Sequence, residues 1–563
     1  MTETISPPAP NRSDASSMAR NTLILIAAFA TSKAISLIQT FIIADVFGVG
    51  DEWDAYVTAN RIPEQIVLLI GGGALSYAFI PVFSSFLAHD DRDRAWTLAS
   101  NVINTVLAVT LALSLIGFAL APWLVEHVVA PGFGPDKIDQ TARLMRILLI
   151  STIVFSVSGM LQGILHSFNH FLLPALAPIL FDVGILFGVA VLIDPLGVDG
   201  IAWGAVLGSV MHLAIQVPGL VRFGARWKPN FGWRDPALRR VIVLMLPRVL
   251  GLGVVTFNTL VFNNVASRMG SGAVSAFDWG YRLMNIPETL IGSAMGFVVF
   301  PTLAAFSELG QRDNRRRTMS GAVRFILIAT IPAAVGLIVV GRPLVSLLER
   351  GAFDARDSAL VYSALQFFAF GLIFQSVHEV IARSFYADKD TYTPLWAALI
   401  AAVVNVAVVA AVYMGYVYRL DNGLGDLVSR WQTTGEGDAV RALTGLGGVG
   451  GLALGYSVTF LVELSLLLVI LRRRWGDIDG RALALTTLRT VAATVVMAVA
   501  VLVVDAGLGA AGFHDAGTLR TAIRVAVLAG TGGVTFVGAG LLVGIHELRD
   551  LPAMVLRRTP KTV

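Results

Sequence analysis

Apolar segments long enough to cross a lipid bilayer recur along almost the whole chain, and they constrain its fold more than any other feature. About 20 apolar residues suffice for one helical crossing. Only 14% of the 563 residues are charged, whereas soluble domains carry about 25%. No stretch between the apolar segments is long enough for a soluble domain. We therefore predict an all-α, polytopic membrane protein.

The pattern indicates about fourteen transmembrane helices. They lie at roughly 21–46, 62–87, 98–126, 142–166, 171–193, 199–221, 238–266, 274–304, 319–347, 359–386, 393–416, 446–471, 484–505 and 520–545. The second span begins beside Pro63, and the eighth contains Pro287.

Those two spans also carry the same unusual pattern, in which Asp is followed after seven residues by Ile-Pro-Glu. The first copy runs from Asp54 to Pro63 and Glu64, and the second from Asp278 to Pro287 and Glu288. Two copies in matching positions indicate a duplicated membrane unit, as in many transporters. Spans 4 and 10 also end in related Ser-Phe motifs, which extends the duplication. Spans 1–6 and 7–12 are therefore predicted to form two related six-helix lobes.

The chain divides accordingly into five parts. They are a disordered tail (1–20), an N-lobe (21–224), a C-lobe (236–472), a pair of helices outside the repeat (484–546) and a second tail (547–563).

Basic residues cluster in the even-numbered loops, for example at Arg312 to Arg317 and at Arg472 to Arg474. The positive-inside rule then predicts that both termini are cytoplasmic. Topology and lipid headgroup contact explain these clusters better than nucleic-acid binding does. The longest hydrophilic loop, 417–445, is predicted to be external. The chain contains no cysteine, which excludes disulfides and thiolate metal sites.

Among the cations inside the apolar spans, two are the strongest candidates for a functional site. Each costs about 2.5–3.5 kcal/mol at the helix centre. Lys33, preceded by Ser32, lies in span 1, and Arg282 lies in span 8, four residues after Asp278. Such cations usually face a water-filled cavity. The Asp278–Arg282 spacing also allows a purely structural ion pair, and both interpretations stay open.

Other polar groups are weaker candidates. Glu64 and Glu288 either complement a helix dipole or contribute to a gate with Pro63 and Pro287, and Gly72 is a hinge or packing residue. Asn405 and Glu463 could help to coordinate a sodium ion. His378-Glu379 is either a proton relay or a buried polar pair. No nucleotide-binding, metalloprotease or other catalytic motif occurs, so the energy for transport is expected to come from an ion gradient, the membrane potential or the substrate gradient. If an ion is coupled, Na⁺ and H⁺ both stay open.

Five motifs stand out along the chain. They are Phe-Gly-x-Gly-x-x-x-Asp-Ala at 47–55, Ile-Pro at 62–63, Asn-x-Phe-x-x-Pro-Ala-x-x-Pro at 169–178, Arg-Leu-Met-x-x-Pro at 282–287 and Phe-Tyr-Ala-x-x-Asp-Thr-x-Thr-Pro at 385–394. These motifs resemble those of the MurJ/MviN family of lipid II flippases, in the multidrug/oligosaccharidyl-lipid/polysaccharide exporter superfamily. The resemblance covers spans 1–12.

The resemblance implies two lobes around a central cavity, and a groove for a polyprenyl tail formed by spans 13 and 14. It further implies a monomeric, non-enzymatic transporter in the bacterial inner membrane, which contacts membrane lipids and needs no cofactor and no nucleic acid. Its substrate would be lipid II, a polyprenyl-pyrophosphate-linked peptidoglycan precursor.

The family's cavity residues carry over only in part. Its cations match Lys33 and Arg282, and its aspartate matches Asp54, but two further arginines fall at Gln39 and near Val67. Lys33 keeps the charge without the bidentate geometry of arginine. An exporter of another polyprenyl-linked oligosaccharide and a cation-coupled multidrug exporter are alternatives, as is a membrane glycosyltransferase or polymerase.

Overall fold

The computed structural model describes residues 31, 34–71, 73–168, 170–419, 445–476, 478–511, 513, 517–545 and 547–548. The predictions for Ser32, Lys33 and Gly72, and for most of the 417–445 loop, lie outside the described residues.

The described residues are helical almost throughout. The helices are α1 (Ala34–Phe47), α2 (Asp51–Ile66), α3 (Gly73–Ala88), α4 (Arg92–Leu124), α5 (Pro135–Ser167), α6 (Leu172–Phe187), α7 (Ile193–Leu196), α8 (Asp199–Ala214), α9 (Val217–Arg222), α10 (Pro236–Ser267), α11 (Ala273–Glu288), α12 (Ala294–Glu308), α13 (Arg312–Val339), α14 (Gly341–Val345), α15 (Ala355–Ala387), α16 (Tyr392–Arg419), α17 (Val449–Trp475), α18 (Gly480–Ala510) and α19 (Thr518–Val543).

The described part of the chain contains twelve helical segments that are long and apolar enough to cross a membrane. Two shorter apolar helices, Ala34–Phe47 and Ala78–Ala88, coincide with the first two predicted spans. The all-α polytopic fold is thus confirmed, with a span count close to fourteen. The second span differs in one respect, because its helix begins at Asp51 rather than at 62.

The duplicated sequence pattern produces a duplicated backbone. Both α2 and α11 are 16 residues long and contain the proline of the Ile-Pro-Glu motif. Each continues into a five-residue π-helical turn, Val67–Gly71 in the first copy and Thr289–Ser293 in the second. Proline removes one backbone donor from the helix, and π-turns are frequent at functional sites. Each copy therefore has an irregular helical turn shortly after the proline of its Ile-Pro-Glu motif.

The helices fall into two compact units. The first unit consists of residues up to Val46, Thr58–Val128 and Gly134–Gly253. Its core joins α3, α4 and α5 through large buried side chains such as Phe79, Phe83 and Trp96. Gly184 of α6 and Gly188, which directly follows α6, pack on the backbone of α8. Small residues permit such a close approach between membrane helices.

The second unit consists of Phe47–Val57, Val129–Phe133 and the residues from Val254 onwards. One of its cores lies among α12, α13, α15 and α17. A second core joins α13 to the α18–α19 hairpin. A bidentate ion pair between Arg524 and Asp505, at 2.7 and 2.8 Å, fastens that hairpin.

Candidate functional site

Asp54 provides the N-terminal cap of a helix that lies more than 200 residues away in the sequence. Its side chain is fully buried. Oδ2 accepts a hydrogen bond from the Gly272 backbone N–H at 2.8 Å, and Oδ1 accepts from the Ser275 N–H at 2.7 Å and from the Ser275 hydroxyl. These donors belong to the first turn of α11, where a negative charge also complements the helix dipole.

The turn before Asp54 is fixed by further contacts in the same unit. The Val49 N–H donates to Asp357 Oδ2 at 2.8 Å, and the Trp279 indole N–H donates to the Gly48 carbonyl at 3.3 Å. Gly48 has a φ of +58°, and a Cβ there would collide with the backbone of Ala352. Only glycine fits this position, which explains the Phe-Gly-x-Gly motif in physical terms.

A second strip of chain, Val129–Phe133, lies against the end of α10. The Asn263 side-chain amide donates to the Val129 carbonyl at 3.1 Å, and the Gly132 N–H donates to the Ser267 hydroxyl at 3.3 Å. A Cβ on Gly132 would meet the backbone of Arg268. We refer to the contacts of 47–54 and 129–133 with 263–279 and 352–357 as the seal.

Arg282 lies on α11 two turns after the residues that Asp54 caps. Its Nε donates to Asp278 Oδ2 at 2.6 Å, and its guanidinium carbon lies 5.8 Å from the centre of the Trp53 ring. The Asp278 side chain is only 6% exposed, whereas the Arg282 side chain is 48% exposed. The i,i+4 ion pair therefore forms, and a large part of the guanidinium still faces outwards.

The two motif glutamates occupy different environments. Glu64 is half exposed and lies 3.7 Å from Arg61. Glu288 is buried and accepts hydrogen bonds from the Ser293 hydroxyl, across the π-turn, at 3.1 and 3.2 Å. Pro63 and Pro287 lie inside α2 and α11, just before the π-turns. The repeat is symmetric in its backbone and asymmetric in its side-chain chemistry.

The other predicted site residues have separate partners. Asn405 is fully buried and donates to the Asn258 side chain at 2.8 Å. Glu463 lies 3.0 Å from His378. Gln39 is buried in α1, and no group of three His, Asp or Glu suited to a metal ion occurs among the described residues. The predicted sodium ligands Asn405 and Glu463 thus contact different side chains.

The Phe-Tyr-Ala-x-x-Asp-Thr-x-Thr-Pro motif forms a charged junction between α15, α16 and α17. Asp390 accepts from the Thr393 N–H at 2.9 Å and from its hydroxyl at 2.6 Å, and it also binds Arg474. Burial alone would raise the pKa of Asp390, but the hydrogen bonds from Thr393 and Arg474 outweigh that effect and hold its pKa below the usual value. Its neighbour Asp388 pairs with Arg315, whose guanidinium stacks on Trp475.

An apolar groove of about 450 Å³ lies between α13, α18 and α19. Phe325 and Ile328 line it from α13, Met497 from α18, and Gly532 and Gly533 from α19. Glycines on α19 leave room for an elongated apolar group beside the helix backbone.

The sequence did not reveal which residues contact the 47–54 segment. It indicated Asp54 as a cavity residue, but not Gly272 and Ser275, which donate to Asp54, or Asp357, which accepts from the Val49 N–H. The one available signal was Trp53 beside Asp54 and Trp279 beside Asp278, since the two indoles stack at 5.5 Å.

The family model described as lipid II flippase MurJ matches residues 43–425. This chain belongs to that family. The Burkholderia cenocepacia "Lipid II flippase MurJ" is 30% identical over 375 residues, which cover 65% of this chain and 72% of the relative. The Rhizobium tropici "Probable lipid II flippase MurJ" is 29% identical over 384 residues, covering 67% and 72%.

Solved structures share the fold of this member of the MurJ family. "Lipid II flippase MurJ, inward closed conformation" superposes with a TM-score of 0.72 at 22% identity, covering 94% of this chain and 100% of that one. An inward-facing multidrug resistance MATE transporter of the MOP superfamily superposes with a TM-score of 0.62 at 17% identity, covering 78% and 96%. The matched range includes residues 47–54 of the seal.

Proposed function

We propose that this protein translocates lipid II across the bacterial cytoplasmic membrane by alternating access, as a transporter and not as an enzyme. The observation that carries this function is the family match over residues 43–425, which includes the seal and Arg282. The cation on α11 and the apolar groove beside α19 give physical support, because lipid II combines an anionic pyrophosphate with a long prenyl chain.

Arg282 and Lys33 bind the pyrophosphate in this proposal. The guanidinium of Arg282 is oriented by Asp278 at 2.6 Å and is still 48% exposed. A planar guanidinium offers two parallel donors to a phosphate. Lys33 adds a second positive charge, and Gln39 and Ser32 add neutral hydrogen-bonding groups. Fixed cations lower the free energy of an anionic headgroup inside a low-dielectric membrane protein.

The prenyl chain lies in the groove between α13, α18 and α19. The lining is almost entirely apolar, so the tail exchanges one apolar environment for another. Only the headgroup then needs a polar path through the interior of the transporter, and the prenyl chain does not have to pass through it. Residues 484–546 act as the tail-binding part of the molecule.

The seal is the gate that closes one side of the transport pathway. Both termini are cytoplasmic in this proposal, which places the seal at the external side. The irregular backbone after Pro63 and after Pro287, together with Glu64, Glu288 and Gly72, forms the hinges that open it. The protein works as a monomer.

A depletion assay tests the function. Cells depleted of their lipid II flippase receive wild-type protein, the double variant Lys33→Ala/Arg282→Ala, or the control Arg92→Ala. Arg92 is an exposed arginine at the start of α4, outside the seal and the groove. We expect wild type and the control to restore growth and the double variant to fail at equal membrane abundance.

The lipid that co-purifies in mild detergent provides a second readout. Recovery of a polyprenyl-pyrophosphate glycan supports the proposal. Growth supported by the double variant contradicts the headgroup assignment, and recovery of a multidrug-type cation instead of a lipid contradicts the function itself.

A further inference from the structure

A cluster of ionisable side chains lies within the second unit, and the transport steps above do not use it. His378 Nε2 on α15 is 3.0 Å from Glu463 Oε1 on α17, and their side chains are 16% and 13% exposed. One residue further along α15, Glu379 pairs with Arg383 at 2.7 Å. Nε2 is within hydrogen-bonding distance of Glu463 but lacks the alignment of a hydrogen bond, and Nδ1 has no hydrogen-bonding partner among the described residues.

This pair lies deep inside the membrane-spanning region. Glu463 is twelve residues from the nearer end of α17, which corresponds to about 18 Å along the helix axis. An ionised carboxylate at that depth is expensive unless a positive charge accompanies it. A purely structural role would be filled at lower cost by neutral side chains of similar size.

The charges around His378 do not balance. Its own helix contributes Glu379 and Arg383, and α17 contributes Glu463. Glu288 and Tyr281 of α11 lie beside Tyr456 of α17. On α13 the charged residues all fall in the first thirteen positions, and α16 has none between Tyr392 and Arg419. Two carboxylates thus face one arginine, so protonation of His378 brings the group from one net negative charge to neutrality.

α15, the helix that carries His378, directly contacts the π-turn Thr289–Ser293, the second proposed hinge. Gly292, in the π-turn Thr289–Ser293, lies so close to α15 that a Cβ would be 2.7 Å from the Ser376 Cα. Gly296, at the start of α12, packs against the Arg383 guanidinium. Glycines put the hinge backbone against the helix that carries His378, with no side chain between them. A change in charge at His378 therefore acts on a segment with an irregular backbone.

We propose that His378 and Glu463 form a proton-binding site whose occupancy is coupled to movement of the hinge at Thr289–Ser293. The proposal rests on the proposed function, and it names the proton as the coupling ion. A proton from water binds the imidazole, and the imidazolium then compensates Glu463. When the proton leaves, Glu463 is uncompensated, and this state favours the alternative hinge position. An imidazole suits this role because its proton exchange falls between about pH 5 and 8.

Proteoliposomes containing the full-length protein and fluorescent lipid II test the proposal. The measurement is the steady-state ratio of lipid II between leaflets, with and without an imposed pH gradient. One coupled proton shifts this ratio roughly tenfold for each pH unit. We expect this shift for the wild type, and a ratio near unity in the gradient for His378→Gln and Glu463→Gln. His212→Gln is the matched control, because His212 is another buried histidine, paired with Ser158 at 2.7 Å in the first unit.

Each outcome separates the two proposals. If the wild type moves no lipid II at all, the proposed function fails. If it moves lipid II to equal leaflet concentrations whatever the gradient, the function stands and the proton site is wrong. A His378→Gln or Glu463→Gln protein that melts like the wild type and still shows the tenfold shift also overturns the site. The two variants are independent, so misfolding of one leaves the other as a test.

Discussion

Replacing Asp54 tests whether the seal depends on a single buried carboxylate. In Asp54→Asn one carboxylate oxygen becomes an amide N–H₂. The remaining oxygen can still accept from the Ser275 N–H and hydroxyl, but the amide then faces the Gly272 N–H, which bonds Oδ2 at 2.8 Å. A hydrogen bond to a charged group contributes about 1.5–3 kcal/mol. At about 1.4 kcal/mol per factor of ten, the sealed state should lose roughly 10- to 100-fold in population relative to open states.

Asp54→Ala should have a larger effect. It leaves the Gly272 and Ser275 N–H groups without acceptors, and each buried donor without a partner costs about 1–3 kcal/mol. The Ser275 hydroxyl has an alternative acceptor in the Gly50 carbonyl at 3.3 Å. The free energy that favours the sealed state should therefore fall by roughly 2–6 kcal/mol. The seal should open most often in Asp54→Ala, less often in Asp54→Asn and least often in the wild type.

The absence of native cysteine makes accessibility labelling direct. A single cysteine at Ala55, which is fully buried beside Asp54, reports opening through its rate of reaction with a maleimide in the purified protein. Asp51→Asn is the matched control, because Asp51 accepts one exposed hydrogen bond from the Ser271 hydroxyl at 2.7 Å. Its loss should change the rate less than about fivefold. The reasoning is refuted if Asp54→Asn is labelled at the same rate as the single-cysteine protein in which Asp54 is unchanged. It is also refuted if Asp54→Asn and Asp51→Asn are labelled at the same rate.

Three further predictions follow from the site and its surroundings. Arg282→Ala should lower the melting temperature because it removes the positive charge that lies 2.6 Å from the buried carboxylate of Asp278. Arg282→Ala/Asp278→Asn should recover much of that stability but no lipid II transport, and recovered transport would reduce the arginine to a structural partner. Gly533→Trp should block the groove and slow transport, while Gly538→Trp, on the same helix with equally open space around its Cβ, should not; equal rates would exclude the groove as the tail site. Asp390→Asn should lower the melting temperature at pH 7. Because the pKa of Asp390 is depressed in the folded protein, this difference from wild type should persist down to about pH 4 and shrink as the pH falls further. Thermal melts across that range measure it, and a difference that grows in acid would contradict the prediction.

The sequence was most informative where the signal is local. Length and hydropathy of each apolar run depend only on neighbouring residues, so the helical membrane fold was predictable. The duplicated Ile-Pro-Glu motif likewise predicted a duplicated unit, and both copies lead into π-turns. The Asp278–Arg282 ion pair was foreseen because helical geometry brings residues four apart onto one face.

Partners distant in sequence were not predictable in the same way. Nothing near Asp54 indicates that it caps α11, because the donors lie 218 and 221 residues away. Glu463 was considered as a sodium ligand beside Asn405, yet its partner is His378, 85 residues earlier in the chain. Glu64 and Glu288 occupy the same motif position, but packing decides that only Glu288 is buried. Each of these outcomes depends on which helices pack together, and a single sequence does not specify that.

The asymmetry of the repeat has a simple electrostatic origin in the helix termini. The first turn of α2 carries three acidic residues of its own, Asp51, Glu52 and Asp54, so its positive dipole end is already compensated. The first turn of α11 carries none, and Gly272 before it offers no side-chain cap. α11 therefore takes its cap from Asp54 of the other copy, whereas α2 makes no such demand on Asp278. That leaves Asp278 available to orient Arg282, so the two copies share an irregular backbone but use their aspartates differently. Asp54 caps α11, whereas Asp278 pairs with Arg282 on its own helix.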